Sequence, residues 1–170
     1  MVPLNLKTHD FDGLLAALAP ANASRTATLK LFASVFAHGA KSMAEVRNAR
    51  MVPASVRDWV QANSELPSLE IVERRRADDG FVKYLFASPR GGRFETVRIP
   101  LFEDKYVVCV SSQIGCALGC DFCMTGKLGF VRNLEAWEIV DQVLAVRAEA
   151  DRPVRGVVFM GQGEPLLNFN

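Results

Sequence analysis

Three of the chain's four cysteines lie within a single short, glycine-rich loop. Residues 115–126 read GCALGCDFCMTG and carry Cys116, Cys120 and Cys123 in a C-x3-C-x2-C pattern. The remaining cysteine, Cys109, lies seven residues before the first. Glycines in and around such a loop permit the tight turns that a backbone needs to fold around an inorganic core. The rest of the fold therefore has to be arranged around this group of thiols.

Composition indicates what kind of chain surrounds this loop. The 170 residues are 49% hydrophobic and 23% charged, which is typical of a globular protein, and the net charge of +1 is too small to indicate or exclude a nucleic-acid partner. No run of 18 apolar residues predicts a membrane span, and the N-terminal sequence MVPLNLKTHDFDG lacks the layout of a secretory signal. We therefore expect a cytoplasmic protein with reduced cysteines, for which metal binding or catalysis is favoured over disulfide bracing.

The first 66 residues are predicted to form a small helical domain. Helical spacing within residues 23–39 places Leu29, Phe32, Val35 and Phe36 on one apolar face. Two further helices are predicted. Ser42 begins one, with Glu45 completing a capping box, and Pro53 begins the next, with Val56, Trp59 and Val60 as its apolar positions.

After residue 66 the pattern changes to β-strands. Residues 68–76, 81–88 and 93–100 are rich in β-forming residues and are separated by the turn sequences ADDG and SPRGG, which predicts a β-hairpin region over 67–100. A strand over 105–112 then leads into the cysteine loop.

The last part, 101–170, is predicted to be one βαβ unit. A helix over 134–150 is expected to be capped by Asn133 and to bury Leu134, Trp137, Val140 and Leu144, and it leads to an apolar strand over 156–161. Since such a unit needs further strands beside it, we expect an α/β fold that is part of a longer protein.

Three clustered thiols can hold three corners of a cubane iron–sulfur cluster and leave one iron open for another ligand. Structural zinc instead needs four closed ligands, for which Cys109 would have to supply the fourth, because His9 and His38 lie far away in the sequence. Three ordinary buried cysteines are the remaining alternative.

The C-x3-C-x2-C motif, with Phe122 just before its last cysteine, resembles the signature of radical S-adenosylmethionine (SAM) enzymes. The longer stretches CVSSQIGCALGCDFCMTGKLGFVRNL, EIVDQV and VVFMGQGEPLLN closely resemble the RlmN-type dual-specificity RNA methyltransferases, from about residue 94 to 170. This resemblance implies a small helical accessory domain followed by the beginning of a partial (βα)6 barrel.

The resemblance also implies roles for individual residues. Cys116, Cys120 and Cys123 would ligate a [4Fe-4S] cluster, and the open iron would bind SAM, which an electron donor such as flavodoxin helps to cleave reductively. Phe122, Gly163 and Glu164 would form part of the cofactor site, with Glu164 accepting a hydrogen bond from the SAM ammonium group.

Two further residues would act on the RNA. In this family a methyl group is carried on a cysteine near the C-terminus and is attached to carbon 2 of an adenine in 23S ribosomal RNA and tRNA. Glu95 matches the proton acceptor, and Cys109 matches the thiol that resolves the protein–RNA intermediate and leaves a disulfide. Because the methyl-carrying cysteine would lie beyond residue 170, we expect this chain alone to be inactive.

Other interpretations remain open at this point. A related enzyme class methylates carbon 8 of the same adenine and confers antibiotic resistance, although Pro165 after the glutamate favours the carbon-2 enzymes. A non-catalytic zinc or RNA-binding module is the alternative from a different class. A set of basic residues in the strand region is equally consistent with an RNA track or a solvated surface of both charges: Arg74, Arg75, Arg76, Lys83, Arg90, Arg93 and Arg98.

Overall fold

The computed structural model describes residues 2–102 and 104–169. The chain divides into two compact units, Met1–Pro67 and Ser68–Asn170. The predicted outer limits of the first and last segments, residues 1 and 170, lie outside the described residues. Helices and a mixed sheet together confirm the predicted α/β class. No helix among the described residues is long and apolar enough to cross a membrane.

The first unit is helical, with one short parallel strand pair. Its elements are β1 (Leu4–Asn5), α1 (Phe11–Ala17), α2 (Arg25–Phe36), α3 (Met43–Arg47), α4 (Ala54–Asn63) and β2 (Ser64–Glu65). The apolar faces of α2 and α4 bury residues such as Leu31, Val35 and Val60 in one core. The sequence predicted three helices here and missed α1 and the β1–β2 pair.

Local details of this unit confirm one prediction and correct another. Ser42 caps α3, where its hydroxyl accepts a hydrogen bond from the Glu45 N–H at 3.3 Å. Leu29, in contrast, is 53% exposed, so its predicted place on the buried face of α2 is wrong. The buried stripe runs through Ala27, Leu31 and Val35, and Leu29 lies about 200° around the helix from Leu31 at 3.6 residues per turn.

The second unit contains a five-stranded sheet in the order β3-β4-β5-β6-β9. Its strands are β3 (Glu70–Arg76), β4 (Val82–Ala87), β5 (Arg93–Leu101), β6 (Lys105–Cys109) and β9 (Val154–Val158). The first four pair antiparallel, which confirms the predicted hairpins, and β6 pairs parallel with β9. The helix α6 (Ala136–Glu149) connects these two parallel strands, as predicted for a βαβ unit.

A second small sheet, absent from the sequence prediction, frames the cysteine loop. It pairs β7 (Gln113–Gly115) antiparallel with β8 (Phe130–Asn133), and the loop between them contains one short helix, α5 (Met124–Lys127). Two strand predictions need correction as a result. The strand predicted over 105–112 ends at Cys109, and the one predicted over 156–161 lies at Val154–Val158, because the residues after each strand form loops.

The prediction that Asn133 caps α6 is wrong. Asn133 ends β8, where its side chain accepts a hydrogen bond from the Gln113 amide at 2.9 Å, and Glu135 caps the helix through a reciprocal capping box with Glu138. Trp137 is buried as predicted, whereas Val140 is only half-buried.

The buried face of α6 is largely polar. Glu138, Asp141 and Gln142 are all buried on it, facing a sheet whose apolar core includes Phe86 and Phe94. The helix therefore attaches to the sheet through specific hydrogen bonds as well as through apolar packing.

Candidate functional site

The cysteine loop, residues 115–129, follows the first of two adjacent parallel strands. After β6 ends, the chain passes through β7 into this loop, and after β9 ends it forms the turn GQGEP, residues 161–165. The carboxyl ends of parallel strands meet at the same edge of a sheet, where α/β folds concentrate their ligand sites. The cysteine loop and the GQGEP turn, both predicted from the sequence to be functional, therefore lie at one edge of the second unit.

Backbone contacts close the base of the cysteine loop. The N–H of Cys116 donates to the Gly129 carbonyl at 3.1 Å, and the N–H of Cys123 donates to the Cys120 carbonyl at 3.0 Å. Gly115 has a φ of +73°, and a side chain at this position would collide with the Gly129 carbonyl oxygen. Glycine is therefore required where the two ends of the loop meet.

The thiols of Cys116, Cys120 and Cys123, called here the loop thiols, are all free and half-buried. Interactions with the backbone N–H groups of Gly126 and Thr125 hold the pKa of the Cys123 thiol below its usual value, although neither N–H makes a capping hydrogen bond of regular geometry to it. A lowered pKa favours the thiolate, which is the form that binds metals.

The loop thiols are compatible with an iron–sulfur cluster. Among the described residues, no three His, Cys, Asp or Glu side chains converge to hold a single metal ion. A cubane cluster does not need such convergence, since each cysteine binds a different iron. Three free, half-buried thiols on a closed loop provide that kind of donor set, whereas a four-ligand zinc site would need the thiols and Cys109 around one ion.

The rim of the cysteine loop is strongly apolar and exposed. Phe122, predicted to belong to the cofactor site, is 92% exposed, and the same loop exposes Leu118 at 54% and Met124 at 70%. Several exposed large apolar side chains within one short segment are typical of binding sites.

Cys109 lies apart from the cysteine loop, in the sheet itself. It ends β6, in register with Val97 on β5 and Val158 on β9, and it is 7% exposed. Burial raises the pKa of the Cys109 thiol, and a hydrogen bond with the backbone of Met160 opposes this only in part. The thiol is therefore protonated and shielded at neutral pH.

Glu95 occupies the neighbouring strand β5 on the same face of the sheet. Side chains alternate along a strand and paired residues share a face, so Glu95 and Val97 lie on the face of Cys109. The Glu95 carboxylate forms an ion pair with Lys83 at 2.9 Å. Both residues line a hollow of about 120 Å³ together with Glu73, Arg75 and Leu85.

The GQGEP turn is held in a specific conformation. Gly163 has a φ of +96°, and the N–H of Glu164 donates to the side-chain oxygen of Gln113 at 3.0 Å. The Glu164 carboxylate accepts a hydrogen bond from the Leu166 N–H at 3.0 Å and so caps the short helical turn Pro165–Asn168. The side chain of Glu164, a predicted cofactor-site residue, is therefore oriented by the backbone of the same turn.

Sequence reasoning missed a buried polar layer beneath this edge. The layer consists of Ser88, Thr96, Ser111, Arg132, Glu138 and Gln142. Gln142 accepts from the Thr96 hydroxyl at 2.7 Å and from the Ser111 N–H at 2.8 Å. Glu138 accepts from the Ser88 hydroxyl at 2.5 Å and from two nitrogens of Arg132 at 2.8 and 2.9 Å.

The charge of Glu138 is stabilised by these partners. Burial alone raises the pKa of Glu138, but hydrogen bonds from Arg132 and Ser88 outweigh it and hold the pKa below its usual value. The signal that could have revealed this layer is the spacing of Glu138, Asp141 and Gln142, which share one face of a helix that was predicted to bury only apolar residues.

Most of the predicted basic set is engaged by carboxylates. Five of its seven members lie within ion-pair distance of one: Arg74 of Glu149, Arg75 of Glu73, Lys83 of Glu95, Arg90 of Glu135 and Arg98 of Asp151. Arg98 is buried and lies 4.3 Å from the Tyr106 ring centroid. This surface carries both charges rather than a continuous basic track.

Comparison with known proteins identifies relatives over nearly the whole chain. A probable RNA methyltransferase from Myxococcus xanthus is 68% identical over 166 residues, which cover 98% of this chain and 46% of that protein. A probable dual-specificity RNA methyltransferase RlmN from Salinibacter ruber is 39% identical over 176 residues, which cover 98% of this chain and 47% of that protein. No family model matches the chain.

A solved structure agrees with these relatives. The crystal structure of a radical SAM methyltransferase from Sphaerobacter thermophilus superposes with a TM-score of 0.82 at 35% identity, over 98% of this chain and 49% of the other. The second unit and its cysteine-bearing edge thus belong to a radical SAM methyltransferase fold. Within that class the chain is an RlmN-like protein, and it spans about half the length of the curated relatives that it matches.

Proposed function

We propose that the protein of which this chain forms part is an RlmN-type RNA methyltransferase that modifies carbon 2 of an adenine in 23S ribosomal RNA and tRNA. The observation that supports this proposal most directly is the cysteine loop, which has three free, half-buried thiols in a C-x3-C-x2-C pattern at the edge where two parallel strands end. The similarity to named RNA methyltransferases over 98% of the chain supports the same reaction class.

Cys116, Cys120 and Cys123 are proposed to hold a [4Fe-4S] cluster. Such a cluster, with one open iron, supplies the electron that cleaves SAM reductively. The lowered pKa of Cys123 favours the thiolate needed for ligation, and backbone hydrogen bonds at the base of the loop keep the three cysteines on one closed segment. The exposed side chain of Phe122 is proposed to cover bound SAM from the rim of the loop.

Gly163 and Glu164 are proposed to contact SAM from the neighbouring turn. Gly163 has a positive φ that shapes the turn, and an added Cβ there would collide with Gln113. The Glu164 carboxylate can accept a hydrogen bond from an ammonium group. Capping by the Leu166 N–H fixes the direction of that carboxylate before any ligand arrives.

Glu95 and Cys109 are proposed to act on the RNA side of the reaction. Glu95 would accept a proton from the substrate adenine, and the Lys83 ammonium at 2.9 Å would stabilise the carboxylate that is ready to do so. Cys109 would provide the thiol that resolves the protein–RNA intermediate. Burial raises the pKa of this thiol and favours its protonated form.

RNA methylation by the full-length protein tests this assignment. The anaerobic assay would contain SAM, a flavodoxin-type electron donor and an RNA fragment, and the digested product would be compared with synthetic 2-methyladenosine and 8-methyladenosine. We expect 2-methyladenosine from the wild type and none from Cys116→Ser. Formation of 8-methyladenosine would instead establish the resistance-type activity, and no methylation of either carbon would contradict both assignments.

Two variants test the residue roles in the same assay. Glu95→Gln keeps the shape but removes the proton acceptor, and Cys109→Ala removes the resolving thiol, so both should abolish turnover while retaining bound iron. The 170-residue chain, assayed beside the full-length protein, tests the prediction that it is inactive alone.

A further inference from the structure

The Gln113 side chain connects the two parts of the proposed cofactor site. It is 1% exposed, and both ends of its amide are hydrogen-bonded. Its oxygen accepts from the Glu164 N–H at 3.0 Å, and its nitrogen donates to the Asn133 side-chain oxygen at 2.9 Å. One end therefore contacts the GQGEP turn, and the other contacts β8, the strand that leaves the cysteine loop.

Packing reinforces this connection. Gly163 lies so close to Gln113 that an added Cβ at 163 would be 2.5 Å from the Gln113 Cβ and 2.6 Å from its Cγ. The aliphatic part of the glutamine thus forms the floor of the turn at its positive-φ residue. A side chain at 163 therefore does not fit this arrangement.

The backbone beside Gln113 is fastened to the same turn. The N–H groups of Ser112 and Gln113 both donate to the Gln162 carbonyl, at 2.9 and 3.2 Å. The Ser111 hydroxyl accepts from the Gln162 N–H at 3.0 Å and donates to the Glu95 carbonyl at 2.5 Å. These hydrogen bonds hold Gln162 in place. The Glu164 N–H is held separately, by its hydrogen bond to the Gln113 Oε1 atom.

We propose that Gln113 is a positioning residue that fixes Glu164 relative to the cysteine loop, and that it thereby sets the affinity for SAM. This inference rests on the proposed function, in which Glu164 contacts the same SAM molecule that binds to the cluster held by the loop thiols. A buried amide with both ends satisfied can hold such spacing rigidly, because releasing either hydrogen bond leaves an unpaired polar group out of reach of water.

Gln113→Leu is the direct test, because leucine is similar in size and cannot form either hydrogen bond. Two quantities are measured on the full-length protein carrying its cluster: hydrogen exchange of the Glu164 amide, and the SAM dissociation constant by equilibrium dialysis. We expect exchange to be faster and SAM to bind about tenfold more weakly, the loss typical of one buried hydrogen bond. Iron content and the exchange of the Ser112 amide should stay unchanged.

Asn133→Ala provides a second test that keeps the bond to Glu164. It releases the nitrogen end of the Gln113 amide, together with a long, exposed hydrogen bond of 3.5 Å from the Asn133 amide to the Leu167 carbonyl. We therefore expect SAM affinity to fall by less than in Gln113→Leu but to remain measurably below the wild type. If Gln113→Leu fails to fold, this variant decides the question, and unchanged affinity in it would overturn the proposal.

Glu164→Ala separates this inference from the function beneath it. Weaker SAM binding in Glu164→Ala, together with unchanged binding in Gln113→Leu, would overturn the positioning role and leave the proposed SAM contact intact. Unchanged binding in both variants would contradict the SAM contact itself, and the inference would fall with it. Weaker binding in both, with faster exchange of the Glu164 amide in Gln113→Leu, supports the proposal.

Discussion

The cysteine loop and the polar layer beneath α6 lie in the same unit but are built in opposite ways. The loop exposes large apolar side chains such as Phe122 and Met124, and its thiols have no disulfide partner. The polar layer buries charged and amide groups such as Glu138 and Gln142, and each of these is satisfied by several partners within the protein.

The polar layer holds the structure of the unit, whereas the cysteine loop leaves groups available to ligands. Buried polar groups with complete hydrogen bonding specify one arrangement of helix and sheet, since any slip leaves a group unpaired. The loop instead leaves donors and apolar surface available for ligands. In the proposed function, the ligand-binding residues are thus carried on a loop that is attached to a hydrogen-bonded scaffold.

Replacing any one of the loop thiols should have the largest effect. Cys116→Ser, Cys120→Ser and Cys123→Ser each remove one cluster ligand, so we expect loss of cluster absorbance after anaerobic reconstitution. Without a cluster, the wild type and the three variants should unfold at nearly the same urea concentration, because these side chains are not part of the core. A cluster that forms normally in all three variants would contradict the division between loop and scaffold.

Removing Glu138 should instead destabilise the scaffold. Glu138→Ala removes the carboxylate that accepts hydrogen bonds from Arg132, from the Ser88 hydroxyl and from the N–H that it caps. Arg132 is 25% exposed and keeps its hydrogen bonds to two backbone carbonyls. We therefore expect the free energy of unfolding to fall by about 3 kcal/mol, the lower end of the loss on breaking a buried ion pair. Urea denaturation followed by Trp137 fluorescence in a Trp59→Phe background reports on this unit.

Glu149→Ala is the matched control for Glu138→Ala. It removes the partner of Arg74 in an ion pair whose side chains are 39% and 32% exposed, and such pairs contribute less than about 1 kcal/mol. Equal losses in the two variants would show that burial of the polar layer does not matter for stability.

Two glycines of the cysteine loop allow a finer test. Gly115 and Gly119 both have positive φ, but a side chain at 115 would collide with the Gly129 carbonyl, whereas a side chain at 119 meets open space. We expect Gly115→Ala to cost about 3 kcal/mol of stability and Gly119→Ala about 1 kcal/mol, the conformational penalty alone. Comparable unfolding midpoints for the two alanine variants would argue against a closed loop base.

Thiol reactivity should show the smallest difference. Without a cluster, Cys123 combines a lowered pKa with partial exposure, whereas Cys109 is buried with a raised pKa. At pH 7 we expect iodoacetamide to modify Cys123 about tenfold faster or more, because the thiolate is the reactive form. Peptide mass spectrometry over time measures both rates, and faster modification of Cys109 would contradict its burial in the sheet.

The sequence was sufficient to predict the cysteine loop and the hairpins because their signals are local. The spacing of Cys116, Cys120 and Cys123 is visible in eight residues, and the turn sequences ADDG and SPRGG mark the hairpin ends directly. The parallel pairing of β6 with β9 was predictable from element order, since a helix between two apolar strands favours a βαβ unit.

The hydrogen-bond partners within the polar layer were not predictable because they are distant in sequence. Glu138 meets Ser88 across 50 residues, and Gln142 meets Thr96 across 46. A helical wheel places Glu138, Asp141 and Gln142 on one face, but it does not distinguish a glutamate that faces solvent from one that meets a partly buried arginine. Gln113 was not predicted for the same reason, because its proposed role depends on a hydrogen bond with Glu164, 51 residues away.

Electron paramagnetic resonance of the anaerobically reconstituted, reduced protein tests the central claim, that the loop thiols hold a cluster with one open iron. We expect about four irons and four acid-labile sulfides per chain and a reduced-cluster signal that changes when SAM is added. A folded protein that binds stoichiometric zinc and assembles no iron–sulfur cluster would contradict it.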